Sequence, residues 1–235
     1  MFRLLKLKPP HGWAAVAWEL AIVTLGVLIA LGAQQIVEDI HWRSEMREFR
    51  RAVRAEISWD LATYSYRSRQ NRCAAARLDE LQRWLDSWRA GRPLELTGPI
   101  AMPSPLIVQT TVWDSRDPET VSRIPLAEKL AYGGLYTEFA NAEGHRLDER
   151  AAWVELGDYD GAPELDHQDL MRLQGLITRA RLRLRRITGN AARFTKRAAE
   201  IGIRPVPDPT WPTPETEICR PILARQESQA AIAAH

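Results

Sequence analysis

From Trp13 to Val37 the chain reads WAAVAWELAIVTLGVLIALGAQQIV, and between Ala14 and Ala33 its only clearly polar side chains are Glu19 and Thr24. A helix needs about 20 mostly apolar residues to cross a hydrocarbon core about 30 Å thick. In lipid every backbone N–H and C=O must find its partner inside the protein, and a lone segment achieves this only as a helix. The stretch therefore predicts one transmembrane helix over residues 13–37. Trp13 and Trp18 stand near one end and Trp42 just past the other, where amphipathic rings favour the headgroup level.

Arg3, Lys6 and Lys8 precede the span with no acidic residue, whereas Arg43, Arg47 and Arg50 beyond it are mixed with Glu38, Asp39, Glu45 and Glu48. Lys and Arg alone are nearly balanced across the span. A short basic tail before a long apolar run is the layout of a signal anchor, and large downstream domains translocate largely regardless of charge. The expected topology is single-pass, with residues 1–12 as a short cytoplasmic tail and the main domain on the opposite side of the membrane. The competing reading is a signal peptide cleaved after Ala30-Leu31-Gly32, before Ala33. The apolar run is longer than the roughly 7–15 residues of a signal-peptide core, which favours the anchor.

Within the span, Glu19 is an ionisable group in an apolar run, a candidate contact for a membrane partner or a side chain reaching back to the headgroups. Gly26, Ala30 and Ala33 form a small-residue stripe that lets two helices approach closely, a candidate homodimer contact through the transmembrane helix.

From Ala33 to Ala90 there is neither Gly nor Pro. Apolar residues recur at Met46, Phe49, Val53, Ile57, Leu61 and Tyr64, then at Ala74, Leu78, Leu81, Leu85 and Trp88. Spacings of three and four predict a long helix over about 38–90, with a break admissible near Ser68–Cys73, stopped by Gly91-Arg92-Pro93. Residues 91–125 carry Pro93, Pro99, Pro103, Pro105, Pro118 and Pro125 and read as an irregular connector. Its octet LIVQTTVW (106–113) has strand-like composition but no partner strand, so it is expected as a short helix or extended link.

A second helix is expected over about 126–156, weakened by Gly133, Gly134 and Gly144, with Leu135, Phe139 and Ala142 on one face and Leu147, Ala151 and Val154 on another. A third, over about 166–201, starts at an Asp166 N-cap. Its seam of Leu170, Leu173, Ile177, Ala180, Leu184, Ile187, Ala191 and Phe194 alternates three and four, as in a coiled coil or helical bundle. Residues 204–235 follow as an extended Pro-rich tail. The expected fold is all-α: the transmembrane helix running into a long-helix antiparallel three-helix bundle over residues 38–203.

The order of a basic tail, Trp18-Glu19, Gly26-Val27-Leu28-Ile29-Ala30-Leu31, Gln34-Gln35 and then Trp42 resembles an uncharacterised family of bacterial single-span membrane proteins, a domain of unknown function. The likeness is strongest over residues 13–42; Trp113 and Tyr136 look similar to aromatic positions of that family's helical domain. This chain departs in having Trp rather than Gly before Glu19 and in the wider spacing of Gln35 from Trp42. The resemblance implies a membrane-anchored helical protein and brings no catalytic residue.

The formal net charge is +2 over 235 residues, which speaks against a generic nucleic-acid binder. The arginines from Arg179 to Arg197 follow an acidic segment, from Glu143 to Asp169, and are expected as solvated or inter-helix ion pairs. His11, His41, His145, His167 and His235 are scattered, with no spacing for a metal ligand pair. No nucleophile elbow or phosphate-cradling glycine loop occurs, so no catalytic, cofactor-binding or metal residue is assigned and no enzymatic activity is expected. The two cysteines, Cys73 and Cys219, are a disulfide candidate if the domain is periplasmic and buried thiols if it is cytosolic.

These features favour a membrane-anchored interaction or scaffold protein of the bacterial envelope, with the bilayer and an envelope protein as partners and no nucleic acid. The alternative is a ligand-binding helical sensor component that works with a membrane partner.

Overall fold

The computed structural model describes residues 12–207, 211 and 217–223, except the side chain of Ala14. The basic tail before Gly12 and most of the Pro-rich tail after Pro207 lie outside the described residues. All regular structure among the described residues is helical: α1 Gly12–Arg69, α2 Asn71–Arg89, α3 Thr111–Asp114, α4 Pro118–Ser122, α5 Leu126–Gly157, α6 His167–Glu200, and a 3-10 turn at Glu217–Cys219. One isolated antiparallel bridge joins Leu96 and Leu223.

The chain divides into two compact units. One comprises α1 up to Arg50 together with Asp117–Arg123; the other holds Arg51–Arg116 and the chain from Ile124 onward. In the first, α1 carries a mean hydropathy of 2.1 over its most apolar 18 residues, and none of that window is buried. The core helix of a water-soluble domain would be covered, so this is an apolar helix long enough to cross a membrane and left uncovered by the rest of the described residues. Thr24, the one hydroxyl in the run, donates to the Leu20 carbonyl at 2.7 Å and so satisfies its own donor within the helix. Farther along the same unit, the Asp117 side chain caps α4 by accepting from Thr120 N at 2.7 Å, and Pro118 occupies the first turn. Arg123, at the end of α4, lies over the Trp42 ring at 4.1 Å.

In the second unit, Val53, Ile57, Leu61 and Tyr64 of α1, Ala74, Leu78, Leu81 and Leu85 of α2, and the inner faces of α5 and α6 are buried together. α6 packs against both α5 and α2. A reciprocal capping box starts it: Asp169 N donates to the Asp166 carboxylate at 2.8 Å, and Asp166 N donates to that of Asp169 at 3.2 Å. Leu173, Ile177, Ala180, Leu184, Ile187, Ala191 and Phe194 are buried, and Leu170 packs half-buried at the margin. Tyr64, Phe139 and Phe194 meet at ring separations of 5.0–6.2 Å, mostly edge to face.

Three local features follow from the packing. The long helix breaks at Gln70, whose N–H turns to the Arg67 carbonyl at 3.1 Å, so α1 and α2 are separate elements. On α5 the residues Leu147, Ala151 and Val154 face outward, and the inner face continues instead through Glu149, Ala152, Trp153 and Leu156. Five residues beyond Ala142 is about 140° around the helix, which turns Leu147 away from the core. Gly133 and Gly134 lie within α5, and a Cβ at Gly133 would stand 3.2 Å from the Trp113 indole, so glycine here makes room for a ring.

Candidate functional site

The chain between Pro99 and Thr110, up to the start of α3, has no regular structure and no strand beside it. Buried backbone N–H groups in such a segment require partners, and Pro99, Pro103 and Pro105 remove three of the donors outright. Polar side chains supply partners for four of the others. Asp160 accepts from Ile100 N at 2.8 Å, Gln70 from Ser104 N at 2.9 Å, Asp60 from Gln109 N at 2.8 Å and Glu56 from Val112 N at 2.9 Å. The Gln70 amide also donates to Ser104 Oγ at 2.9 Å, and Arg77 donates to the Pro99 carbonyl at 2.9 Å.

The same device holds the chain after α6. Arg54 donates to the carbonyls of Ile201 at 3.1 Å and Gly202 at 2.7 Å, and Ser58 to that of Arg204 at 2.6 Å. Residues 217–222 are tied by successive turns of α2. Cys73 and Cys219 are joined in a disulfide with Cα atoms 4.7 Å apart. One turn on, Arg77 donates to the carbonyls of Glu217 and Arg220, and Glu80 accepts from Ile222 N. Thr97 N donates to Ile222 O at 2.7 Å, closing the bridge region beside Leu96.

Burial sets the electrostatics of these groups. Asp60 is wholly buried, and its carboxyl is pushed up to about 8, chiefly by desolvation and further by Glu56, against the lowering effect of the Gln109 N–H. Its second oxygen has no hydrogen-bond partner among the described residues. Glu56, one turn earlier, also accepts from the Tyr136 hydroxyl at 2.6 Å, and desolvation followed by that bond drives the phenol far above its ordinary range. Trp113 stacks on Tyr136 at 5.1 Å. Farther along α1, Arg67 meets Glu149 at 2.6 Å with both side chains buried. Desolvation lowers the guanidinium and raises the carboxyl, so burial works against both charges and the pair offsets that cost by mutual contact.

Glu19, Gly26, Ala30 and Ala33 lie exposed on α1. Six arginines of α6 reach carboxylates on two neighbouring helices, α5 and α2: Arg172 and Arg179 meet Glu155, Arg183 meets Asp148, Arg193 and Arg197 meet Glu138, and Arg181 meets Asp79. Among the described residues no group of three or more His, Cys, Asp or Glu side chains is placed to hold a metal ion.

The buried clamps on α1 were not singled out from the sequence, although their pattern is present in it. Glu56, Asp60, Thr63, Arg67 and Gln70 recur every four and three residues, a polar stripe beside the apolar stripe of the same helix. Both stripes are covered.

Among the described residues the protein is all-helical, with one uncovered helix long and apolar enough to cross a membrane. A scan against models of protein families, a search of curated proteins and a search of solved structures each give no match.

Proposed function

We propose that this chain is a single-span protein of the bacterial inner membrane, with its N-terminus cytoplasmic and its main domain periplasmic. That domain, an antiparallel bundle of long helices built from α1 and α2, α5 and α6, binds a partner protein or scaffolds an envelope complex and catalyses no reaction. The family of uncharacterised single-span proteins that residues 13–42 resemble is the proposed relative. A second copy of the chain, meeting at Gly26, Ala30 and Ala33, is a proposed membrane partner.

The observation that carries this reading is the uncovered apolar run of α1 in a chain whose downstream cysteines are paired. An apolar surface of that length calls for lipid, and disulfides persist in oxidising compartments. The buried carboxylates and guanidinium groups support a structural rather than a chemical role, because they are engaged by the backbone of extended segments and by one another.

Mild crosslinking in native membranes, followed by purification and mass spectrometry, tests the proposal. A stoichiometric protein partner is expected. A retained small molecule without a protein partner would instead favour a ligand-binding sensor component, the reading to which the open groove beside Trp84 and Trp88 lends support.

A further inference from the structure

Trp84 and Trp88, one turn apart on α2, form a wall of an open groove of about 730 Å³, bounded elsewhere by residues 93–99 and 160–163. That volume lies within the range of small-ligand sites, about 300–1,000 Å³. The groove is built in advance of any ligand. Leu94 N donates to Ser87 Oγ at 2.9 Å, Thr97 N to Ile222 O at 2.7 Å and Ile100 N to Asp160 at 2.8 Å, which fixes one wall to α2, to the 217–223 segment and to the loop after α5.

Its charged lining has a single sign. Glu95 and Asp160 face it, and no Lys, Arg or His is among the lining residues. Arg77, whose charge is felt by Asp160, stands behind Pro99, donates to the carbonyl of that proline and is paired with Glu80 at 3.4 Å. Pro93, Pro99 and Pro163 contribute no N–H to the walls. The indole N–H of Trp88 has no hydrogen-bond partner among the described residues, but an anion would meet two carboxylates and no cationic side chain in the lining. A cation would meet two carboxylates and two indoles, the side chain that attracts cations best.

We propose that this groove binds an organic cation through an alkylammonium group, carried either by a free small amine or by a lysine side chain. The carboxylates of Glu95 and Asp160 supply the attraction, and the indoles of Trp84 and Trp88 supply apolar area and cation–π contact for the alkyl shell. Glu95 is exposed and Trp88 half-buried, so Glu95→Gln and Trp88→Phe leave the hydrogen bonds of the groove wall in place.

The test is isothermal titration of the full chain, held in a detergent without an ammonium headgroup, with tetramethylammonium and separately with N-acetyl-lysine methylamide. At least one probe is expected to bind saturably, with affinity reduced about two- to fivefold by Glu95→Gln and by Trp88→Phe. Tighter binding of tetramethylammonium identifies a small amine as the source, and tighter binding of the lysine derivative a protein side chain. Absence of saturable binding for both probes, or equal affinity in the double variant and the parent, overturns the proposal. Either negative result leaves the membrane-scaffold reading standing, because that reading rests on the apolar run of α1.

Discussion

A carboxyl sealed from water beside a second carboxyl keeps its proton to unusually high pH, and Asp60 is in that position with Glu56 one turn away. In the unfolded chain it titrates near 3.8 and in the folded one near 8. Between those values the folded state holds a proton that the unfolded state has lost. Stability from this group therefore falls as pH rises, by up to about 1.4 kcal/mol per pH unit, and the loss is complete above about pH 8. Asp60→Asn keeps an acceptor for Gln109 N and removes the charge. Thermal melts of parent and variant at pH 5, 7 and 8.5 should show the variant gaining steadily on the parent as pH rises. A difference that stays flat across that range would mean that Asp60 is not desolvated as described.

At the scale of elements, α6 and the first stripe of α1 were legible in the sequence because one rule governs them: apolar residues at three- and four-residue spacing face the core. Ile187 lies in that seam and is 2% exposed. Ile187→Asp should lower stability by more than about 3 kcal/mol, since a charge would be buried without a partner. An unchanged melting temperature would place the seam in solvent. The polar stripe of α1 was not legible because its meaning depends on chain far away in sequence. Glu56 and Asp60 look solvent-facing until the Pro-rich connector is laid over them, and no local pattern announces that Val112 and Gln109 will need acceptors. On α5 the separate face of Leu147, Ala151 and Val154 was legible by the same spacing, but not that this face looks outward while Glu149, Ala152, Trp153 and Leu156 continue the buried one.

The glycines of α5 divide along the same line between local propensity and tertiary contact. Gly144 has open space where a Cβ would go, whereas Gly133 has the Trp113 ring at 3.2 Å. Gly144→Ala should therefore stabilise by about 0.5–1 kcal/mol through helix propensity and reduced unfolded-state freedom. Gly133→Ala should gain less or lose, because the Trp113 stack on Tyr136 must shift. Paired denaturant titrations decide it, and equal gains at the two sites would contradict the close approach of Trp113.

For the whole molecule, the disulfide and the apolar run of α1 make one joint claim about compartment. Cys73 and Cys219 are separated by 146 residues, and closing a loop of that length restricts the unfolded chain by about 5 kcal/mol in loop-closure entropy. Reduction should lower the melting temperature and expose residues 217–223 to hydrogen exchange before α5 and α6, because that short segment is then held without a covalent tie, by the contacts of Arg77, Glu80 and Thr97 and the packing of Ile218 and Ile222. Unchanged exchange in 217–223 after reduction would assign its order to those polar contacts instead.

The most direct test of a membrane-anchored domain outside the cytoplasm is to treat intact spheroplasts with external protease, wash the membranes in carbonate and weigh what remains by mass spectrometry. The account predicts loss of the downstream domain and a membrane-retained fragment that contains residues 13–37. A fully protected chain would reverse the topology, and a protein starting at Ala33 that leaves with the wash would remove the anchor altogether.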